Sequence, residues 1–296
     1  MIEMKLKGIH LLLTYQCLME CDHCFVWSSP SSQETMTLKQ IVKLLSEAKK
    51  LDTVEWVWFE GGEPFLYYQI MTKGLEKAAK MGFKRGVLSN AYWATCVKDA
   101  LEWLRPLARL GVGSLGLSSD PYHGEDMEAE RVKNGVEAAI KLGIPVDIMA
   151  TTNLPSMLGE LPSGVGELMY RGRAAEKLLE EAPRTAWSEF KECPYEDLVS
   201  PERVHVDPLG YVHVCQGLAI GNSWQSSFSE VIRSYDHSRH PVIQPLVKGG
   251  PVALVRRFGL SHKEEYADAC HLCYTARLAL RKRFPQLLAP NQMYGV

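Results

Sequence analysis

Short apolar runs recur at regular intervals through the first half of the chain. They begin near Ile9, Val54, Gly86, Leu115 and Val146, and a helical pattern follows each of the first four. Apolar runs of this length are typical of strands that are buried on both faces of a sheet. Alternating strands and helices predict an α/β fold with a parallel sheet, which is either a barrel or an open doubly wound sheet.

Capping residues mark where the predicted helices begin and end. Thr37–Gln40 forms a capping box, which opens the clearest helix. The apolar face of that helix is predicted to contain Ile41, Leu44, Leu45, Ala48 and Leu51. Gly82, Gly111 and Gly143 each follow a helical pattern and precede a strand. Glycine is favoured at these positions because a left-handed residue commonly ends a helix.

Composition narrows the class of protein. The 296 residues are 46% hydrophobic, which is enough for one large core and a small appended module. The formal net charge of -2 disfavours nucleic acid and membrane surfaces as partners. Because no run approaches about 18 apolar residues and no signal peptide is recognisable, we expect a cytoplasmic protein without a membrane span. Disulfides are disfavoured for the eight cysteines, which cluster at metal-binding spacings.

Three cysteines lie in one loop after the first apolar run. Cys17, Cys21 and Cys24 have the spacing Cys-x-x-x-Cys-x-x-Cys. Three thiolates can hold three irons of a [4Fe-4S] cube and leave the fourth iron open to a small molecule. Zinc is the alternative, but a structural zinc site needs four ligands. His23 is a poor fourth ligand because it is adjacent to Cys24, and we therefore favour an iron–sulfur cluster.

This loop and a second motif resemble the radical S-adenosylmethionine (radical SAM) superfamily. The loop spans Cys17–Cys24, and the second motif, Gly61-Gly62-Glu63-Pro64, follows the second predicted strand. The resemblance implies a partial (β/α)6 TIM-type barrel, whose sixth strand we place near residues 165–170. It also implies an enzyme that binds SAM on the first cluster and receives an electron from a donor such as ferredoxin or flavodoxin. Cleavage of SAM then yields a 5'-deoxyadenosyl radical, which abstracts a hydrogen atom from the substrate.

Polar residues follow the predicted strands at their carboxyl ends, where barrels of this type hold their active sites. They are Glu63 after the second strand, Ser89, Asn90 and Tyr92 after the third, Ser118, Ser119, Asp120 and His123 after the fourth, and Thr151, Thr152 and Asn153 after the fifth. Each residue alone is also an ordinary turn or helix-cap residue. Together they predict a polar mouth at one end of the barrel.

The resemblance assigns cofactor contacts within this mouth. It implies that the Gly61–Glu63 turn binds the methionine amino group and that Ser118–Asp120 hold the ribose hydroxyls. His23 occupies the position that packs on the adenine, where Tyr or Phe is commoner. The further predicted cofactor-binding residues are Asn90, Asn153 and Arg173, the last within a Gly-Arg-Ala element. An arginine on a solvated helix start is the alternative interpretation of Arg173, and equally of Arg171.

Three residues near the mouth are candidates for catalysis. Asp120 and His123 lie in one loop, where an imidazole can carry a proton or contact the substrate. A solvent-facing loop histidine is the alternative. Cys96 is a candidate hydrogen-atom donor, for which a packed small residue is the alternative.

The other four cysteines lie in the last third of the chain, at Cys193, Cys215, Cys270 and Cys273. Cys215 ends a predicted β-hairpin, and the Cys270–Cys273 knuckle opens a basic helix. Four thiolates form a complete ligand set for a second metal centre, either an auxiliary [4Fe-4S] cluster or zinc. The arrangement resembles the twitch module, a shortened SPASM domain. We therefore expect a radical SAM core at residues 1–180 and an auxiliary-cluster module at residues 181–296.

Auxiliary-cluster relatives mostly modify ribosomal peptides or oxidise small metabolites. We favour a peptide substrate, with a radical SAM oxidoreductase of small metabolites as the alternative, because fold does not decide between them. Since 16 residues precede Cys17, we expect a peptide to need a separate recognition protein or a very short leader. A non-enzymatic zinc or iron–sulfur scaffold is the remaining alternative, and the Gly61–Glu63 turn argues against it.

Overall fold

Two units, each with its own internal contacts, make up the chain. The computed structural model describes residues 4–123, 129–151 and 163–296. The barrel unit consists of Gly8–Cys21 and Ser28–Leu168, and the C-terminal unit consists of Met1–Lys7, Asp22–Trp27 and Met169–Val296. The functional division that we predicted at residue 180 stays a prediction.

Six parallel strands form the sheet of the barrel unit. They are β1 Gly8–Thr14, β2 Trp56–Gly61, β3 Lys84–Ser89, β4 Ser114–Ser118, β5 Val146–Ala150 and β6 Ser163–Val165. The strands pair in their chain order, each with the next. An open doubly wound sheet would reverse its order at a switch point, so this sequential order is that of a partial barrel. The first five strands begin within two residues of the predicted positions.

The sixth strand lies earlier than we predicted. It ends at Val165, and residues 166–170 form no strand. The reason is the length of its partner, because β5 ends at Ala150 and the Gly166 N–H makes a last hydrogen bond of 2.8 Å to the Ala150 carbonyl.

Helices connect the strands of the barrel unit. They are α1 Leu38–Ala48, α2 Tyr68–Lys80, α3 Val97–Arg109 and α4 Ala129–Lys141. The predicted capping box is confirmed, because Gln40 N donates to Thr37 Oγ1 and Thr37 N donates to Gln40 Oε1. Gly82, Gly111 and Gly143 have φ angles of 81°, 64° and 68°, which confirms their left-handed conformation.

Among its described residues, the C-terminal unit contains three consecutive antiparallel strands, a separate two-stranded sheet and four α-helices. Its strands are β7 Thr185–Ala186, β8 Arg203–Val206, β9 Tyr211–Cys215, β10 Leu218–Asn222 and β11 Glu265–Tyr266, and its helices are α5 Ala174–Lys177, α6 Phe228–Arg233, α7 Ile243–Phe258 and α8 Ala269–Leu280. Strands β8, β9 and β10 pair antiparallel, and β7 pairs with β11. The predicted hairpin is confirmed, with Gly210 in its turn at φ 87° and Cys215 at the end of β9.

Candidate active site

The Gly61–Glu63 turn is joined to the end of β1, immediately before the cysteine loop. Gly62 N donates to Thr14 O at 2.7 Å, and Glu63 N donates to Gln16 O at 2.8 Å. A Cβ atom at Gly61 would lie 2.4 Å from Thr14 O, and one at Gly62 would lie 2.1 Å from Gln16 O. These glycines therefore permit a close approach of the main chain at the end of β1 and just after it. Because they have no side chain, these glycines allow the start of the Cys17 loop to lie beside the turn.

Glu63 connects this turn to the end of β3. Its side chain is fully buried and accepts hydrogen bonds from Phe65 N at 3.0 Å, Ser89 Oγ at 3.0 Å and Asn90 N at 2.8 Å. Burial raises the pKa of Glu63 to about 7, although the hydrogen bonds from Asn90, Phe65 and Ser89 oppose that rise. The carboxyl group thus fixes the position of Asn90.

Asn90 in turn faces the first sulfur of the cysteine loop. Its Nδ2 atom lies 3.6 Å from Cys17 Sγ and 3.7 Å from Met19 Sδ. Met19 N also donates to Cys17 Sγ, at 3.4 Å. Two neutral N–H donors therefore converge on a buried sulfur, a setting that favours a metal-bound thiolate. The sequence placed Asn90 in the mouth but contained no signal for its contact with Cys17.

The end of β4 brings together three more of the predicted residues. His123 Nε2 lies 3.1 Å from Ser118 Oγ, and its Nδ1 lies 3.1 Å from a carboxylate oxygen of Asp120. His123 is buried, so the alternative of a solvent-facing histidine is wrong. Ser119 is also buried, and its N–H donates to Met149 O on β5.

Cys96 differs from the other predicted site residues in its exposure. It is the N-cap residue of α3, and its Sγ accepts a hydrogen bond from Asp99 N at 3.4 Å. The alternative of a packed small residue is wrong because the side chain is exposed. In the described part of the chain, its hydrogen bonds stay within the first turn of α3. Asn153 and Thr152 lie outside the described residues.

In the C-terminal unit, the Gly-Arg-Ala element packs on the segment that carries Cys24. Arg173 N donates to Cys24 O at 3.0 Å. A Cβ atom at Gly172, where φ is 59°, would lie 2.6 Å from both Cys24 O and Phe25 Cα. The Arg173 guanidinium is buried and lies 5.4 Å from the centre of the Trp27 ring, so the solvated helix start is wrong. His23, beside Cys24, is half-buried.

The other four cysteines lie in a loop, at a strand end and in the first turn of a helix. Cys193 is in the loop before β8, Cys215 ends β9, and Cys270 and Cys273 lie at the start of α8, where Asp268 caps the helix. Burial raises the pKa of Cys193 and of Cys270, and it raises the pKa of Cys273 to about 11. The negative charge of Cys215 raises all three pKa values further, because these thiols are neighbours.

These four half-buried thiols fit the chemistry of a metal centre. Burial disfavours the ionised forms of Cys193, Cys270 and Cys273, so a cation must accompany their thiolates. Arg171, which is buried, donates from Nη1 to Cys215 Sγ at 3.3 Å. The solvated helix start, which was the alternative for Arg171, is therefore wrong. Arg277 on α8 is also buried, and sequence reasoning missed this arginine. A signal for Arg277 was available, because it follows Cys273 by four residues and so lies on the same face of the helix.

The barrel unit matches a known protein family. The profile described as the Radical SAM superfamily matches residues 11–169. The chain belongs to the radical SAM superfamily. It is therefore an enzyme of the class that binds SAM on a [4Fe-4S] cluster. No helix in the described part of the chain has the length and apolar character that a membrane span requires.

Two curated relatives match part of the radical SAM chain. The putative peptide biosynthesis protein YydG of Bacillus subtilis is 30% identical over 135 residues, which are 46% of this chain and 42% of that one. The tungsten-containing aldehyde ferredoxin oxidoreductase cofactor-modifying protein of Pyrococcus furiosus is 29% identical over 116 residues, which are 39% and 31% of the two chains. The match thus spans less than half the length of each relative.

Solved structures share the fold. The crystal structure of BtrN in complex with AdoMet and 2-DOIA has a TM-score of 0.56 at 15% identity, and the match covers 83% of this chain and 89% of BtrN. An open conformation of BtrN has a TM-score of 0.51, with coverage of 84% and 87%. At this identity the likeness concerns the fold alone, and it agrees with the predicted partial barrel.

Proposed function

We propose that this radical SAM enzyme abstracts a hydrogen atom from a peptide substrate and that it uses two [4Fe-4S] clusters. Cys17, Cys21 and Cys24 hold the first, and Cys193, Cys215, Cys270 and Cys273 hold the auxiliary one. When bound on the reduced first cluster, SAM supplies a 5'-deoxyadenosyl radical for hydrogen abstraction. The observation that carries the proposal is the contact of Asn90 and Met19 with Cys17 Sγ, beside the turn that the family uses for SAM.

The residues of the barrel unit have separate tasks in this proposal. Glu63 holds Asn90 and attracts the ammonium group of SAM, and Ser118–Asp120 take the ribose. His123, which contacts Ser118 and Asp120 through its two ring nitrogens at once, carries a proton near the substrate. In the C-terminal unit, Arg173 and His23 lie beside the last ligand of the first cluster, where they position the cofactor. The role of Cys96 as a hydrogen-atom donor and that of Asn153 in cofactor binding stay predictions.

The peptide substrate is supported by the similarity to YydG, which is named a putative peptide biosynthesis protein. The electron donor, which we propose is a ferredoxin or flavodoxin, and the cytoplasmic location stay predictions from the sequence.

The test uses reconstituted enzyme, SAM, reductant and the peptides encoded by short reading frames beside its gene. Mass spectrometry should show a peptide that changes mass only in the presence of SAM, together with release of 5'-deoxyadenosine. A peptide that leaves 5'-deoxyadenosine release unstimulated and its own mass unchanged contradicts the peptide assignment, and small metabolites then become the substrates to test.

A further inference from the structure

Two arginines are buried beside the four thiols of the C-terminal unit. The exposed fraction of Arg171 is 9% and that of Arg277 is 1%. The Nε atom of each lacks a hydrogen-bond partner among the described residues. Removing a guanidinium from water costs several kcal/mol unless an opposite charge lies nearby. Two such groups in one small unit therefore indicate a concentration of negative charge between them.

The groups in contact with these arginines include a thiol, an aromatic ring and a carbonyl oxygen. Arg171 contacts Cys215 Sγ, and Arg277 Nη1 donates to Gln216 O, the next residue along the chain. No carboxylate of the described residues lies within 4.0 Å of either guanidinium. Glu196 and Asp268 act on Arg171 only from a greater distance. Carboxylates therefore do not provide a close ion pair for either charge.

Both arginines are placed beside the thiols, Arg171 by its contact of 3.3 Å with Cys215 Sγ and Arg277 by its position one helical turn after Cys273 on α8. Burial by itself lowers the pKa of Arg277, but Tyr294 and the Cys273, Cys215 and Cys270 thiols raise it above its ordinary value. The pKa of Arg171 is likewise raised by Cys215 and Cys270, against the effect of burial. Each buried guanidinium is therefore placed to balance the negative charge of thiolates.

We propose that Arg171 and Arg277 are positioning residues that neutralise the four-cysteine centre and raise its reduction potential, an inference that rests on the proposed auxiliary cluster. Four thiolates around an oxidised [4Fe-4S] core carry a net charge of about -2, which two guanidiniums balance. One electron from the low-potential donor takes this charge to about -3, and no bond is made or broken. The fixed positive charges therefore favour the reduced state.

The test measures the potential of the auxiliary centre in the full chain carrying Cys17→Ala, Cys21→Ala and Cys24→Ala, so that one cluster remains. Arg171→Gln and Arg277→Gln remove the charge, Arg171→Lys and Arg277→Lys keep it, and the exposed Arg257→Gln is the control. A redox titration followed by electron paramagnetic resonance should show at least a tenfold lower reduction constant in each Gln variant, which is 59 mV for one electron. The Lys variants and the control should keep the original potential.

The outcomes separate this inference from the proposed function. Absence of iron from the parent chain without the first three cysteines overturns the auxiliary cluster and this inference with it. Iron that is retained at the original potential in the Gln variants overturns this inference alone. If the Gln variants lose iron, retention of iron in the Lys variants supports a charge effect, whereas loss in both shows that packing is responsible. Circular dichroism of each variant establishes that it is folded.

Discussion

The two cysteine sites differ in the groups that face their sulfurs. Beside Cys17, the donors are the neutral N–H groups of Asn90 and Met19. Beside the four-cysteine site, the contact comes from Arg171, and Arg277 lies close enough to alter the thiol pKa values. A neutral donor acts over a hydrogen-bond distance, whereas a buried charge acts over several ångströms.

This difference matches the two tasks that we propose. SAM has a net positive charge, although its carboxylate gives Arg173 a group to attract. A second arginine, in contact with Cys17 Sγ, would repel the cofactor. Neutral donors stabilise the thiolate there without that repulsion. The auxiliary centre has no cationic ligand in our proposal, and its negative charge must be balanced by the protein. The comparison teaches that the charge of a site's surroundings reflects what the site must bind.

Removal of the first cluster should have the largest effect. Two cubes predict about eight irons per chain, and replacement of Cys17, Cys21 and Cys24 by Ala should leave about four. Release of 5'-deoxyadenosine should fall to background because SAM then has no iron to bind. Iron analysis and chromatography of the products measure both effects. A protein that instead contains zinc and lacks thiolate-to-iron absorbance contradicts both cluster assignments.

Damage to the auxiliary site should separate two activities. Cys270→Ala should abolish substrate turnover and destabilise the C-terminal unit, because one iron loses its ligand. Cleavage of SAM without substrate should survive, since it needs only the first cluster and an electron. Release of 5'-deoxyadenosine under strong reductant tests this. Its loss from a folded variant that keeps the first cluster would show that the two sites do not work separately.

Glu63→Gln should weaken the first site without removing its metal. Loss of the charge should reduce SAM affinity by about 1.5–3 kcal/mol, the contribution of a hydrogen bond to an ion. Either orientation of the amide also leaves a main-chain N–H of Phe65 or Asn90 facing an NH2 group. The free energy of unfolding should therefore fall by about 1–3 kcal/mol. Calorimetric titration and chemical denaturation measure the two effects, and unchanged SAM affinity would refute the amino-group contact.

The same carboxyl group predicts a pH dependence of stability. Its pKa is about 7 in the folded chain and has an ordinary value of 4.5 when unfolded, so the folded state binds the proton more tightly. The resulting stabilisation is complete below about pH 4.5 and is lost as pH rises towards 7. Denaturation of the wild type and of Glu63→Gln across this range should show the wild type losing stability relative to the variant. Parallel curves would show that Glu63 does not titrate there.

Removal of the neutral N–H donor of Asn90 should have the smallest effect. Asn90→Ala removes a long N–H contact to Cys17, so the reduction constant of the first cluster should fall by less than tenfold. The control is Asn134→Ala, which removes a buried amide that donates to Ala94 O in the same unit. If the reduction constant fell as much as in an arginine variant, neutral and charged neighbours would have the same effect, and the proposed difference between the two sites would be wrong.

Much of the fold followed from local patterns. Strand starts, the Thr37 capping box and the left-handed glycines depend on neighbours in sequence, and all were predicted correctly. The sixth strand was placed too late because its end depends on where β5 stops, which is a contact between distant segments. For the same reason, the burial of His123 and the exposure of Cys96 were not predictable from their loops.

By itself, the sequence determined the family, the cysteine spacing and the strand–helix order, because each depends on residue type and short separations. Only the tertiary structure decided what surrounds the sulfurs. Asn90 reaches Cys17 from another strand end, and Arg171 reaches Cys215 from a segment 44 residues away. Electrostatic and hydrogen-bond contacts act through space, so residues that share no sequence pattern are brought together when the chain folds.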